Sequence, residues 1–471
     1  MADLPSWKRV EGWGRSTRSR CRVVRATSIE DVAEAFALAR EHGLTVGLRG
    51  AGRSYGDASQ NESNLVLDLT GLDAVRSFDA ETGVAVVDPG VTVRDLWAAA
   101  VPHGYWPYVV SGTMTPTIGG AAAMNIHGKN AWKVGTIGDH IHSFRLLTPG
   151  GEDLRCDRAQ NSDLFHAAIG GFGALGVMHE IEIATKFVDS GRLREFPFEY
   201  GSLNALMDAF EEHAKTADYC VGWIDSFARG SRLGRGQIHT ANYLSAAEDP
   251  GGLPLRAAER QELPTTFFGV IPKGILWRFV RPFAFPLGMS LINLAKVLAG
   301  KLMPGAGKPY LQSHAGFHFL LDFVPNWQLM HGPGGLIQFQ PFVPAEHGRA
   351  VFRRLLELQQ ERGLVNWLTV LKRHRPDPFL LTHGLDGWSL AMDFNITDRN
   401  RQAVWTLCRD MAEIVLEHGG RFYPAKDATL TASQFQRALG QSAVSEFREL
   451  KERVDPDGLL STNLSRRLLG L

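Results

Sequence analysis

The sequence predicts an α+β protein, and three observations lead to this fold class. Helical periodicity over residues 28–42 and 92–103 is interspersed with short apolar strands. Residues 143–147 and 153–156 flank a Gly-Gly pair, which predicts a β-hairpin. Beyond about residue 187, polar and apolar residues alternate in successive strands, which is typical of an antiparallel sheet. Helices mixed with hairpins favour α+β over a doubly wound parallel sheet, and 471 residues predict two or three domains.

The first part of the chain supplies short helices and strands in alternation. Ser28 and Asp31 form a capping-box pattern at the start of the first helix, and Gly43 ends it. The second helix has the same kind of start, with Thr92 followed by Asp95. Strands are predicted at residues 44–48, 64–69, 84–87 and 176–183, and a helical piece at residues 164–169.

The second part of the chain predicts a sheet with one face on a core and one face on a cavity or solvent. Its strands are predicted at residues 219–224, 314–323, 336–343, 366–371 and 388–396. Amphipathic helices are predicted at residues 203–216, 345–362, 398–418 and 442–454.

Composition excludes several classes of function. Hydrophobic content of 44% and charged content of 21% are ordinary for a soluble globular protein, and a net charge of zero gives no reason to expect a nucleic-acid partner. The first ten residues lack the apolar core of a signal peptide, and the uncharged run at residues 282–295 is too short to span a bilayer. We expect a cytoplasmic or peripherally membrane-associated protein.

Cysteine and histidine spacing predicts no metal site and no disulfide framework. The four cysteines are far apart and form no C-x-x-C pair, as in proteins of a reducing compartment. His140 and His142, and likewise His314 and His318, have no acidic or cysteine companion at ligand spacing.

A glycine-rich stretch at residues 48–57, L-R-G-A-G-R-S-Y-G-D, is the first candidate binding motif. Glycine allows positive φ and close approach of the backbone to a ligand, and successive N–H groups in such a turn can hold a phosphate. From spacing alone, a tight turn between two strands explains it equally well. Residues 171–176 do match G-x-G-x-x-G, but they follow a helix and precede a strand, the reverse of a dinucleotide-binding loop.

A second stretch, residues 117–130, is rich in small residues and carries no acidic side chain, which suits packing against a flat ligand. The two stretches together resemble the flavin-binding region of the vanillyl-alcohol-oxidase-type FAD-linked oxidoreductases. The sequences R-G-x-G-R-S-Y-G-D and I-H-G-K-N are most similar to the decaprenylphosphoryl-β-D-ribose 2′-oxidase branch of that family, and sugar-lactone oxidases are the next relatives.

This resemblance implies a two-lobed FAD-binding domain of the PCMH type at residues 1–188 and 415–471. An antiparallel-sheet substrate domain at residues 189–414 is implied between its two parts. The resemblance covers nearly the whole chain and is weakest at residues 253–312.

The resemblance also implies the residues that hold FAD. In covalent relatives a histidine attacks the flavin methyl group, and Arg53 takes that place here; arginine is not a nucleophile, so we expect noncovalent FAD. The strand that contains Ile183 is expected near the adenosine half. The cofactor-binding residues implied are Arg49, Gly50, Ala51, Gly52, Arg53, Ser54, Tyr55, Gly56, Asp57, Gly112, Thr117, Ile118, Gly119, Gly120, Met124, Asn125, Ile126, His127, Ile183 and Tyr423.

Three catalytic candidates follow from the same resemblance. Lys426, in Y-P-A-K-D, would stabilise negative charge on the reduced flavin, although most lysines simply lie at the surface. Tyr55 and His127 match positions in the same pocket, and a histidine suits proton acceptance. Whether the base is Tyr55, His127 or water stays open.

Substrate-binding positions are implied at Trp223, Gln338, Gln340, Lys372 and Ser389, together with Lys426. Gln338 and Gln340 are two apart and should share a strand face, and Lys372 could meet a substrate phosphate. Trp223 could equally pack in a core. In place of the cysteine found in the mycobacterial members of this branch, the chain has Ala391, so any chemistry of that thiol is absent.

The segment at residues 264–309 combines bulky apolar residues with six Lys or Arg and no acidic residue. This combination is what an interfacial membrane segment requires, because apolar burial acts together with attraction to anionic lipid. The alternative is an ordinary lid over the substrate domain.

The leading hypothesis is oxidation of the 2′-hydroxyl of a polyprenyl-phosphate-linked ribose, as the first half of an epimerisation to arabinose for the cell envelope. A short-chain NAD(P)-dependent reductase is the expected partner. An oxidase of free sugars, aldonolactones or alditols is the alternative enzyme, and a flavin-free binding protein is the alternative from another class.

Overall fold

The computed structural model describes residues 4–267, 269–302 and 307–471, without the side chains of residues 301 and 302. Two sheets form the scaffold of its N-terminal domain. The first sheet is partly parallel, with the strand order Trp7–Glu11, Arg18–Arg25, Leu65–Asp68, Val46–Arg49. The second is antiparallel, with the order Val75–Phe78, Val84–Val87, Val177–Phe187, Ile141–Leu147, Asp153–Asp157, and Tyr105–Pro107 pairs with its central strand.

Helices cover these two sheets. Ser28 and Thr92 each cap a helix with the reciprocal hydrogen bonds of a capping box, which confirms both predicted starts. The helices of this domain are Ile29–Glu41, Val93–Ala100, Ile118–Ala123, Ala131–Val134, Ser162–Ala168, Ala432–Leu439, Gln441–Val454 and Asn463–Leu469, with 3-10 turns at Val101–His103 and Ile137–His140.

The second domain is a nine-stranded antiparallel sheet, and the predicted α+β class is confirmed. Its order is Tyr310–Ser313, Arg192–Tyr200, Gly236–Tyr243, Tyr219–Ile224, Leu368–His374, Gly387–Asn395, Pro341–Pro344, Arg421–Phe422, and Leu336–Phe339 also pairs with Gly387–Asn395. Its helices are Leu203–Ala214, Ala258–Gln261, Leu276–Val280, Pro286–Leu302, His314–His318, Gly348–Glu361 and Arg401–Glu417, with 3-10 turns at Gly230–Arg232, Leu253–Arg256, Lys273–Ile275, Arg281–Phe283 and Trp327–His331.

Two sequence-based assignments are corrected. Residues 314–323 are not a strand: Ser313 accepts a hydrogen bond from the Gly316 N–H and caps the helix His314–His318. The strand expected at residues 336–343 is two strands interrupted at Gln340. The strand Arg421–Phe422 pairs with Pro341–Pro344 and is the last strand of this sheet along the chain.

The basic apolar segment at residues 264–309 lies beside the substrate sheet. It contains the short pair Thr266–Phe267 and Ile271–Pro272 and the helix Pro286–Leu302. Among the described residues no single helix could cross a membrane; Lys273–Phe283 and Pro286–Gly300 satisfy the length and composition requirement only as a pair bent by 119°. Phe268 and residues 303–306 of this segment lie outside the described residues.

Candidate active site

A deep cavity lies between the loops of the N-terminal domain and one face of the nine-stranded sheet. Among the charged side chains that line it in the described part of the chain, five are basic and one is acidic. Such a charge balance suits an anionic ligand. The basic residues are Arg49, Arg53, Lys129, Lys372 and Lys426, and the acidic one is Asp393.

The glycine-rich loop forms one wall as a backbone cradle. Gly52 has φ +64°, and a Cβ at Gly50 would lie 2.1 Å from Thr117 Oγ1. Thr117 caps the helix Ile118–Ala123 and accepts a hydrogen bond from the Gly120 N–H. The two small-residue stretches therefore meet face to face, and their packing fits the close backbone approach that FAD requires.

Most of the residues implied by the family resemblance line this cavity. The lining includes Arg49, Gly50, Ala51, Gly52, Arg53, Ser54, Tyr55, Gly112, Thr117, Gly119, Gly120, Met124, Ile126, His127, Gln338, Gln340, Lys372, Tyr423 and Lys426.

Five of the implied cofactor residues lie behind the lining. Gly56 and Asp57 follow Tyr55 at a loop crossing, Ile118 is buried, and Ile183 pairs with Ala85 inside the second sheet. Asn125 has a structural explanation, because its Oδ1 accepts from the Gly138 N–H at 3.1 Å and its Nδ2 donates to Asp377 at 3.3 Å. These residues support the wall that the ligand would touch.

Lys426 contacts the ring of Tyr55. Its Nζ lies 3.7 Å from the centre of the Tyr55 ring. Burial lowers the pKa of Lys426, and the facing charge of Asp393 opposes that effect. Burial raises the pKa of Asp393, whose carboxylate accepts a hydrogen bond from Gln338 Nε2. Lys426 and Asp393 therefore face each other in the cavity, and the charge of each favours the charged form of the other.

His127 lies at the centre of a polar network. Its Nε2 is 3.0 Å from Gln340 Nε2, and its Nδ1 is 3.4 Å from Lys372 Nζ. Burial, followed by the charge of Lys372, holds the pKa of His127 well below its usual value, so the ring is neutral. Burial also lowers the pKa of Lys372 to about 8.

The tautomer of His127 follows from these two contacts. A neutral imidazole has one donor and one acceptor nitrogen. If protonated Lys372 donates to Nδ1, then Nε2 carries the proton and needs an acceptor, which Gln340 provides when its amide is turned to present Oε1. Ser389 stands behind Gln340, 3.3 Å from its Nε2, and His374 Nε2 lies 2.8 Å from Ser389 Oγ.

Cross-strand neighbours on the sheet form the roof of the cavity. Ala391, Val370 and Trp223 are consecutive partners on adjacent strands. Ala391 and Val370 line the cavity, whereas Trp223 lies under Lys296, whose Nζ is 4.1 Å from the indole ring. The helix Pro286–Leu302 therefore covers the sheet beside the roof.

Asp393 lines the cavity but was not among the predicted site residues, and the loop at residues 172–176, which the sequence predicts as a turn into a strand, also contributes to the lining. Asp393 is 1% exposed, and a carboxylate within an otherwise apolar strand was the signal that could have identified it. Phe172, Gly173 and Gly176 line the cavity, although their motif has the reverse of a Rossmann context. His314, by contrast, donates from Nε2 to the Ser190 carbonyl and stacks on Trp106 as a core residue.

The chain is similar to known FAD-linked oxidoreductases. A family model described as an FAD binding domain matches residues 22–157. The chain is 32% identical to the decaprenylphosphoryl-beta-D-ribose oxidase of Mycolicibacterium smegmatis over 98% of its own length and 97% of that protein. It is 26% identical to a putative D-arabinono-1,4-lactone oxidase of Neurospora crassa (95% and 83% covered) and 27% identical to the L-gulonolactone oxidase of Bos taurus (41% and 43% covered).

Proposed function

Because this chain belongs to the decaprenylphosphoryl-beta-D-ribose oxidase family of FAD-dependent oxidoreductases, we propose that it oxidises the 2′-hydroxyl of a polyprenyl-phosphate-linked ribose. The observation that carries the proposal is the cavity itself, where Lys426, Lys372 and neutral His127 face the same space. The FAD-binding match disfavours the alternative of a flavin-free binding protein.

FAD, when bound, accepts the hydride that leaves the alcohol carbon. Residues 50–55 and 117–120 would hold it, and Lys426 would supply positive charge where negative charge develops. Arg53 is engaged by a hydrogen bond from its Nε to Thr115 Oγ1 at 2.7 Å, and its chemistry supports noncovalent attachment.

The hydroxyl proton must leave as the hydride leaves, and His127 is better suited than Tyr55 to accept it. Burial raises the pKa of the Tyr55 hydroxyl, so a phenolate is scarce. Neutral His127 can accept the proton at Nδ1 once Lys372 turns from that nitrogen to the substrate, and the low pKa of the ring favours passing the proton onward. Lys372, 3.4 Å away, would meet the substrate phosphate or the sugar.

The segment at residues 264–309 supports a lipid-linked substrate. Val270, Phe279 and Leu287 are 76%, 62% and 66% exposed, and Arg278 and Arg281 are exposed beside them. Apolar side chains interleaved with basic ones favour docking on an anionic bilayer. Lys273 does not contribute to that face, because it is buried with its Nζ 3.3 Å from the Phe323 ring centre.

A short apolar path would join that surface to the cavity. Leu320 and Leu321 line the cavity, and Leu320 is 56% exposed. Phe323 follows them in the chain, and its ring contacts Lys273 of the basic apolar segment. A polyprenyl chain could therefore stay in the bilayer while its sugar reaches His127.

The keto sugar would be the first product of an epimerisation to arabinose in cell-envelope synthesis. A separate short-chain NAD(P)-dependent reductase would complete that reaction, because an oxidase that delivers electrons elsewhere cannot itself return a hydride to the same sugar.

Anaerobic bleaching of the bound flavin tests the proposal. We expect rapid bleaching by a polyprenyl-phosphoryl ribose and little by ribose, L-gulonolactone or an alditol at equal concentration. The opposite order would make the protein a free-sugar or lactone oxidase.

A further inference from the structure

Arg467, on the C-terminal helix Asn463–Leu469, joins the two loops that carry Tyr55 and Lys426. Its Nη2 and Nε donate to the two carboxylate oxygens of Asp57 at 2.7 and 2.9 Å. Its Nη1 donates to Asp427 Oδ2 at 2.7 Å and to the Leu430 carbonyl at 2.8 Å. One guanidinium thus contacts the aspartate at the end of each family motif.

The two loops also touch directly. The Tyr55 N–H donates to the Ala425 carbonyl at 2.9 Å. A Cβ at Gly56 would lie 2.0 Å from the Asp427 carbonyl oxygen, so only glycine fits there. The loops cross at one point, and Arg467 lies on the side away from the cavity lining.

We propose that Arg467 is a positioning residue that sets the distance between Lys426 and Tyr55 by clamping Asp57 and Asp427. A bidentate arginine–carboxylate pair fixes direction as well as distance, which a lysine at the same place would not do. Asp57 is two residues from Tyr55, and Asp427 follows Lys426 directly. The charge of Arg467 also compensates the negative charges of Asp57 and Asp427, which lie beside a site where negative charge develops. The inference rests on the proposed role of Lys426.

Arg467→Gln should keep Lys426 itself but release the loop that carries it, because the ion pairs with Asp57 and Asp427 are lost. We expect the reduction potential of the bound flavin, measured by dye equilibration without any sugar, to become more negative. Anaerobic reduction by the lipid-linked sugar should slow at least tenfold. Arg467→Lys should restore part of each loss, because it keeps a charge but not the fork.

Arg466→Gln is the matched control. Arg466 is the neighbouring residue on the same helix and donates to Asn61, Ser461 and Asn463, not to the loops. A change of melting temperature alone in Arg467→Gln, with an unchanged reduction potential and a rate within twofold of wild type, would overturn the proposal.

If Arg467→Gln does not fold, Asp57→Asn removes one arm of the clamp and leaves the contact to Asp427. It should shift the potential in the same direction by less, and an unchanged potential would overturn the proposal. Because the potential needs no substrate, this outcome is independent of which sugar the enzyme oxidises.

Discussion

Lys426 Nζ lies 3.7 Å from the centre of the Tyr55 ring, although the two residues come from opposite ends of the chain. Tyr55 belongs to the glycine-rich loop, and Lys426 follows the last strand of the nine-stranded sheet. The site therefore exists only when the two parts of the N-terminal domain close on each other.

Removal of the Lys426 charge should impair flavin reduction. A hydrogen bond to a charged group contributes about 1.5–3 kcal/mol, so Lys426→Met should slow anaerobic reduction at least tenfold. Lys215→Met, at an exposed lysine paired with Glu212, is the control. Equal rates of flavin reduction in the wild type and Lys426→Met would show that Lys426 has no role in the reaction.

Loss of Asp393 should change the pH dependence of reduction. The carboxylate of Asp393 raises the pKa of Lys426, so Asp393→Asn should lower that pKa further. Protonated Lys426 is the active form, and the rate falls as pH rises through its pKa. The alkaline limb of the rate profile should therefore move to lower pH, whereas a shift to higher pH would contradict the assignment of the pair.

Acid precipitation should release all the yellow colour into the supernatant, because Arg53 occupies the position of the attaching histidine in covalent relatives. Absorbance of the washed pellet near the flavin bands is the measurement. Flavin retained in the pellet would show a covalent bond.

A cysteine introduced at position 391 should show whether the substrate occupies the cavity. The four native cysteines are buried and Ala391 lines the cavity, so Ala391→Cys should be labelled by a small maleimide where the wild type is not. Lipid-linked sugar should slow the labelling. Labelling that is insensitive to the sugar would place the substrate elsewhere.

Charge reversal in the basic apolar segment should weaken membrane binding. Each Lys or Arg near an anionic leaflet contributes about 1 kcal/mol, so Arg278→Glu with Arg281→Glu should reduce sedimentation with anionic liposomes at least tenfold at low salt. The control is Arg229→Glu with Arg232→Glu, an exposed pair with the same spacing. Equal liposome binding by both double variants, or no binding by the wild type, would favour the alternative that the segment is a lid over the substrate domain.

Local chemistry made several parts of the fold predictable. The strands Val84–Val87 and Tyr219–Ile224 have the predicted bounds, and the capping boxes at Ser28 and Thr92 are formed, because each depends on residues within a few positions. The alternation at residues 314–323 was not the sign of a strand, since it comes from histidines stacked on Trp106.

The parts of the site that depend on long-range contacts were not predictable in the same way. Asp57 belongs to the predicted cofactor-binding motif, but its ion pair with Arg467, 410 positions away, could not be predicted from that motif. The pairing of Asp393 with Lys426 likewise depends on how the sheet meets the flavin loops. No pattern of neighbouring residues encodes either contact.

In the proposed reaction, hydride leaves the C2 position of a lipid-linked ribose. The most direct measurement is anaerobic flavin bleaching with polyprenyl-phosphoryl ribose deuterated at a single ring carbon. Deuterium at C2 should slow bleaching severalfold, and deuterium at C1 or C3 should not. A primary isotope effect at C1 or C3, or no bleaching by the lipid-linked sugar, would contradict the account.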